Sequence, residues 1–308
     1  MTTTRTTLKT TCLLILALLF APTSEPASAD TATPVTLWQV EGESNQVYLL
    51  GSVHLLRESD YPLPAIIDRA YEDAEHLIME LDMDDIDPVA TQAAVSRMGL
   101  LNDGRTLADV LGRVDYAKAE RAARELDIPL KLLAGSEPWF AAITIEQMLL
   151  ARMGFNPIYG VEMAMLSKAQ KDNKTVDGLE TLEEQLGFLD GLTADAQRDL
   201  LLQTLEQGRD AEPLMDSLIA AWKDGDTEYL EANMLRELQD YPELYTTIVS
   251  ERNERWLDRL TALLDDDDDY LVVVGALHLI GDDGLPALLR ARGVEVGQLG
   301  RTSSLPLD

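Results

Sequence analysis

The chain has 308 residues, with 55 Asp and Glu against 25 Lys and Arg, three histidines, one cysteine and a formal net charge of −30 at pH 7. A field of that sign repels nucleic acid and anionic lipid, which excludes both as partners. The one cysteine, Cys12, lies in an N-terminal segment that reads as removable, so no disulfide, thiolate nucleophile, zinc finger or Cys-His protease is expected.

In chain order, Arg5 and Lys9 give a positive start, Cys12 to Phe20 an apolar stretch, and Ala27-Ser28-Ala29 a small-residue cleavage site before Asp30. The apolar stretch is too short to span a bilayer, so residues 1–29 read as a cleaved signal peptide and the product as exported, periplasmic or secreted. Residues 30–308 suffice for a single domain with a substantial core. No later stretch reads as a membrane span.

Thr36 to Val40 and Gln46 to Leu50 flank the polar turn Glu41 to Asn45, a hairpin pattern. Pro62 and Pro64 open a helix through about Ala74, His76 to Leu81 reads as a strand, and Asp87-Pro88 starts a helix toward Met98. Thr106 to Leu126 has Leu107, Val110, Leu111 and Val114 at helical spacing. Pro129 to Leu133 reads as a short strand, Glu137-Pro138 opens a long apolar helix through Met153, and Val161 to Lys171 carries another. Thr175 to Glu180 is a strand with a turn, followed by a helix from Leu182 to Leu189.

From Thr193 to Leu264 strand character is absent, with breaks at Gly208, Pro213, Gly225 and Pro242. Asp265 to Asp269 is a polar loop before the strand Tyr270 to Val274; Pro286 stands in the first turn of a helix, and Val294 to Val296 reads as an edge strand. Strand-forming pieces cluster at both ends. The expected fold is α/β: a mixed sheet from N- and C-terminal segments with a large helical insertion at about 193–264.

Two distant stretches are near copies, Val47 to Leu56 and Leu271 to Ile280. Each is an apolar strand run, then glycine (Gly51, Gly275), a small residue, an aliphatic residue and histidine (His54, His278). A glycine there allows a sharp turn or close approach, and the histidine falls beyond the strand's carboxyl end, where open α/β sheets bind ligands. Taken singly, each histidine reads as a satisfied core residue. Their repetition predicts one shared site, because a buried imidazole needs a partner and is the commonest metal ligand.

The stretch from Leu37-Trp38 through Gly51 to His54 resembles the opening of the TraB/GumN family, which includes the Tiki metalloproteases. Met79-Glu80-Leu81-Asp82, Tyr159-Gly160-Val161-Glu162, Gly178-Leu179-Glu180 through Gln185, Glu251-Arg252-Asn253 and Gly275 to His278 match it further, in family order. The resemblance implies a mixed α/β fold with a helical insertion and a divalent-metal site built on two histidines and a glutamate. It does not imply one activity.

Glu80, at the end of an apolar run, is the third ligand this picture favours; it also reads as the start of the acidic loop holding Asp82, Asp84 and Asp85. Two imidazoles and one carboxylate on Mn, Co or Zn leave positions open for water and substrate, the pattern of metal-assisted hydrolysis. Glu180 reads as a proton acceptor from metal-bound water, as a further ligand completing the set, or as a first-turn acid stabilised by the helix dipole. Arg252 reads as a substrate anchor, or as a solvated residue paired with Glu251, Glu254 and Asp258. Glu162 is a weaker candidate, His76 a structural one, and the acidic runs lack the glycine and terminal glutamate of a calcium loop.

The expected function is an exported metal-dependent hydrolase of peptide amide bonds, with His54, Glu80 and His278 on the metal and Glu80, Glu180 and Arg252 in catalysis. The rivals are a non-catalytic binder of a peptide, haem or signal molecule, and an accessory protein for envelope polysaccharide machinery.

Overall fold

Six strands form one mixed sheet in the order β4-β3-β5-β2-β1-β6, in a computed structural model that describes residues 33–208 and 211–301 together with Ser303 and Leu305. The signal-peptide reading of residues 1–29 lies outside the described residues. The strands are β1 (Pro34–Glu41), β2 (Gln46–Ser52), β3 (His76–Leu81), β4 (Thr175–Glu180), β5 (Tyr270–Gly275) and β6 (Val296–Gly300).

The expected hairpin forms, with Leu37 opposite Leu50 and Val40 opposite Val47. β6 joins β1 antiparallel at the sheet's edge. The other four strands, β4, β3, β5 and β2, are mutually parallel. Leu49, Leu50 and every residue from Leu271 to Val274 are fully buried. Central parallel strands are covered on both faces, so they read as unbroken apolar runs rather than alternating ones.

β5, almost the last strand in the chain, is inserted between β2 and β3, and pairs Leu50 with Val273 on one side and Met79 with Val273 on the other. That insertion is what brings the two sequence copies together. Their register is offset by one residue, Gly51 lying opposite Val274 and Ser52 opposite Gly275.

The stretch 193–264 is largely helical, as its lack of strand residues predicts, and it divides between two cores. Leu201 and Leu205 of the helix Ala194–Gln207 pack with Leu107, Leu111, Ala119, Ile145 and their neighbours in a purely helical cluster. Trp222, Leu230, Leu235, Trp256 and Leu260 instead join the core against the sheet. The short strand expected at Pro129 to Leu133 is a 3-10 turn, Leu130–Leu133. Its apolar content serves the helical cluster through Leu130, and among the described residues no strand pairs with it. The helix over Leu107–Glu125 is broken at Gly112, whose φ of 71° is outside the helical range.

Gly160 lets the helix Val161–Asp172 start directly against the end of β2. Val161 N–H donates to the Val53 carbonyl at 3.1 Å. A Cβ at Gly160 would stand 2.2 Å from the His54 carbonyl oxygen, a backbone atom with nowhere to retreat. Gly160→Ala is therefore expected to destabilise the protein by about 1–3 kcal/mol, the usual cost of overpacking, read as a lower urea midpoint with an unchanged slope.

Candidate active site at the strand ends

Each of the four parallel strands delivers one polar side chain to the same edge of the sheet. Across that edge stand Glu180 at the end of β4, Glu80 in β3, His278 just after β5 and His54 just after β2. They enclose a small space at Gly275. The position a Cβ would take there is 3.2 Å from Glu80 Oε1, 3.7 Å from His278 Cδ2 and 3.9 Å from His54 Nε2. The two rings thus approach one point at the sheet's edge, the convergence the repeated pattern predicts. Glycine is needed because any side chain would push Glu80 aside.

The two histidines arrive by different routes, and each is anchored through Nδ1. After Gly275 the chain tightens into the 3-10 turn Ala276–Leu279, which buries His278. Asn253 is fully buried, and its amide nitrogen donates to the carbonyls of His278 (3.2 Å) and Asp283 (2.7 Å). Its oxygen is thereby aimed at His278 Nδ1, 2.7 Å away. An amide oxygen only accepts, so Nδ1 carries the proton and Nε2 keeps its lone pair. Burial first, then Arg252 and His54, bring the His278 pKa down to about 3 against the pull of Glu80, so the ring is neutral.

His54 is held the same way by a carboxylate. Its Nδ1 lies 2.7 Å from Glu162 Oε1, which also accepts from Ser52 Oγ. Glu162 raises this imidazole to about 9, with desolvation opposing. The side chain is 63% exposed, so water screens the pairing. Burial pushes Glu162 up, but His54 and Ser52 outweigh it and hold it below the usual carboxylate range. Glu162 is thus a supporting residue of the site and not merely a helix entry.

Glu80 Oε1 accepts the Gly275 N–H at 2.7 Å, and Oε2 accepts Arg252 Nη2 at 2.5 Å. Burial would raise this carboxyl, but His278 and Arg252 outweigh it and bring it down to about 2. Since His278 is itself neutral, the guanidinium supplies the charge. Glu180 goes the other way. Burial raises its pKa, Arg252 only partly offsets that, and the neighbouring Glu80 adds to it. Two carboxyls on one arginine are thus pushed apart, Glu80 downward and Glu180 upward. Gln185 Nε2 bridges them at 3.1 and 3.3 Å.

The sequence pattern offers Glu251, Glu254 and Asp258 as partners for Arg252, and the structure corrects this. Arg252 is buried and turned inward, with Nη2 bound to Glu80 and Glu180, Nε donating to Glu180 Oε2 at 3.2 Å, and Nη1 3.1 Å from His278 Nε2. Its guanidinium carbon stacks 4.7 Å from the Trp256 ring, one helical turn on. The preceding residues, Thr246–Ser250, form a π-helical turn, and the Ile248 carbonyl accepts from Arg252 Nη1 at 3.2 Å. Such bulges re-aim side chains at functional sites. Here one sets Arg252, Asn253 and Trp256 on the site.

By donor type the set matches a divalent cation, an ionised carboxylate with two imidazoles anchored through Nδ1. But His278 Nε2 is engaged by Arg252, and His54, raised to about 9 by Glu162, carries a proton that an ion would have to displace. His278 Nε2 and Glu80 Oε1 are 3.8 Å apart, against roughly 3–3.5 Å for two ligands at normal distances on one ion. Among the described residues no group of three or more His, Cys, Asp and Glu is already drawn up around one point. One contact must be exchanged, because the lone pair of His278 is engaged by Arg252. These residues would hold an ion only with Arg252 Nη1 off His278 Nε2 and the His54 ring deprotonated.

His76 begins β3, at the end away from this edge, with its ring nitrogens on Thr175 Oγ1 (2.5 Å) and Asp268 Oδ2 (3.0 Å). The run Asp265 to Asp269 ties the hairpin turn to β5, the Asp268 carbonyl accepting from Asn45 Nδ2 and Asp269 Oδ1 from the Gln46 N–H. Sequence reasoning assigned no role to Asn253, Gln185, Ser52 or Trp256. The spacing of Arg252 and Trp256, four apart on one helix, was the signal available.

The chain matches the TraB/PrgY/gumN family over residues 36–298. It is 26% identical to "Uncharacterized protein YbaP" of Escherichia coli (strain K12) over 244 residues, covering 79% of this chain and 87% of that protein, and equally to the Shigella flexneri protein of that name. An "Uncharacterized protein" of Treponema pallidum (strain Nichols) is 20% identical over 267 residues, covering 83% of this chain and 80% of the relative. No solved structure matches.

Proposed function

From a chain that belongs to the TraB/PrgY/gumN family, we propose a divalent-metal-dependent hydrolase of peptide amide bonds, working after export in the periplasm or outside the cell. The observation that carries this reading is the meeting of His54, His278 and Glu80 around Gly275, with both Nδ1 atoms already committed. His54 Nε2, His278 Nε2 and Glu80 would hold the ion. When bound, such an ion supplies Lewis acidity and a water of lowered pKa.

The remaining work falls to the protein's own groups. Glu180, the carboxyl of raised pKa, takes a proton from the attacking water and returns it to the leaving amine. Arg252 neutralises Glu80 and Glu180 while the site is empty of substrate, and its Nη1, once off His278, donates to the oxygen on which charge develops. Export rests on the N-terminal pattern of residues 1–29. The peptide as substrate rests on analogy with the Tiki branch.

Elemental analysis of protein purified without chelator is expected to find about one Mn, Co or Zn ion per chain. His54→Ala and His278→Ala should each lose it. Full occupancy in both variants overturns the ligand assignment, and a metal-loaded protein inert toward a peptide library overturns the hydrolase. Asn253→Ala should weaken metal binding by roughly 10–100-fold, as loss of a residue orienting a ligand does. Titration with a metal indicator reads this directly.

A further inference from the structure

Resting on that reading, we propose that the cleft beside His54 and Glu80 is a specificity pocket for one neutral, apolar side chain of the substrate, on the residue next to the scissile amide. The cleft has a volume of about 220 Å³. Pockets that enclose a whole small-molecule ligand measure roughly 300–1,000 Å³, so this one holds a side chain rather than a complete ligand. It opens onto His54 and Glu80 themselves, so what fills it lies against the reacting centre.

Its other wall is hydrocarbon and sulfur: Met79, Met83, Pro157 and Met163. Three of the chain's ten methionines meet here. Unbranched thioether side chains adapt to apolar partners of different shape, so the wall selects for apolarity more than for one outline. At the polar side Glu80 is engaged by Gly275, Arg252 and Gln185; Glu162 Oε1 is engaged by Ser52 and His54, while its Oε2 is buried without a hydrogen-bond partner among the described residues. An anionic side chain would be repelled by both, and would lose its hydration for nothing.

At the rim Met163, 36% exposed, and Ile158, 66% exposed, line the same neighbouring, shallower cleft, with Tyr61, Tyr159 and Ala164. The apolar track thus continues outward from the pocket along the start of the helix Val161–Asp172, a path for the rest of an extended chain.

The test uses protein carrying ¹³C-methyl methionine, with resonances assigned by single Met→Leu changes. It is titrated with N-acetyl-leucinamide, N-acetyl-phenylalaninamide, N-acetyl-glycinamide and the amide of N-acetyl-glutamic acid. The leucine and phenylalanine amides are expected to shift Met83 and Met163, and to bind about tenfold or more tighter than the glycine amide. Met215, which lines a separate cleft, should stay unmoved. Met163→Glu, at a partly exposed position, should keep the fold and lose the preference, and Met163→Leu should keep it. Equal binding of the leucine and glycine amides, or shifts at Met215 alone, overturns the proposal. Binding without any cleavage of peptides would sink the hydrolase and leave the pocket standing; cleavage without side-chain preference would do the reverse.

Discussion

Replacing Arg252 with methionine is expected to cost about 3–5 kcal/mol of stability at pH 7, because it strands buried charge. Glu80 and Glu180 both hang on this guanidinium, and both lie in the protein interior. Methionine keeps most of the aliphatic length, so packing against Trp256 and Phe188 changes little. The loss is therefore electrostatic, and pH separates it from a packing defect. In the variant both carboxyls have folded-state pKa values above their unfolded ones. The unfolded state then binds fewer protons as pH falls, and the variant regains stability relative to wild type. Urea unfolding at pH 7 and pH 5 should show the gap narrowing. A gap independent of pH would mean that the arginine acts through its bulk.

The second large effect is on rate. Glu180→Gln should lower kcat on a cleavable peptide by roughly 10²–10⁴-fold, the usual contribution of a positioned acid–base group. The amide oxygen can still accept from Arg252 Nη2 and Gln185, while its NH2 meets the Arg252 Nε–H, so some stability is lost but metal content and KM should change less than kcat. The carboxyl acts as a base only when ionised, and its pKa lies above the ordinary carboxylate value. The wild-type rate should therefore rise with pH through that pKa, and the rise should vanish in Glu180→Gln. Glu80→Gln differs, since it should take the metal as well. Equal rates for wild type and Glu180→Gln would remove Glu180 from the chemistry.

The strands were legible because burial on both faces writes itself as a continuous apolar run, as in β2 and β5. The pairing of His54 with His278 was legible because the same pattern occurs twice. The short strand expected at Pro129 to Leu133 failed for a general reason: a brief apolar run carries no period of its own, and only its neighbours decide its state.

Arg252 shows the other limit. Its own helix supplies acidic neighbours at pairing distance, so local reasoning satisfies it locally. The true partners sit on β3 and β4, 172 and 72 residues away. Asn253 leaves still less trace, because fixing a histidine's tautomer requires only one amide oxygen in the right place. Glu162 was undervalued because Gly160 reads as a helix entry, which it is. What the local pattern hides is that this entry presses against His54.

The place of β5 bears on when the protein can work. A nascent chain that has not yet produced residues 270–275 has β2 and β3 but nothing to lay between them. Closing that gap joins segments about two hundred residues apart, a step with a high entropic threshold and a slow clock. The same strand delivers His278. Completion of the sheet and the meeting of His54, Glu80, Glu180 and His278 at one edge are therefore one event.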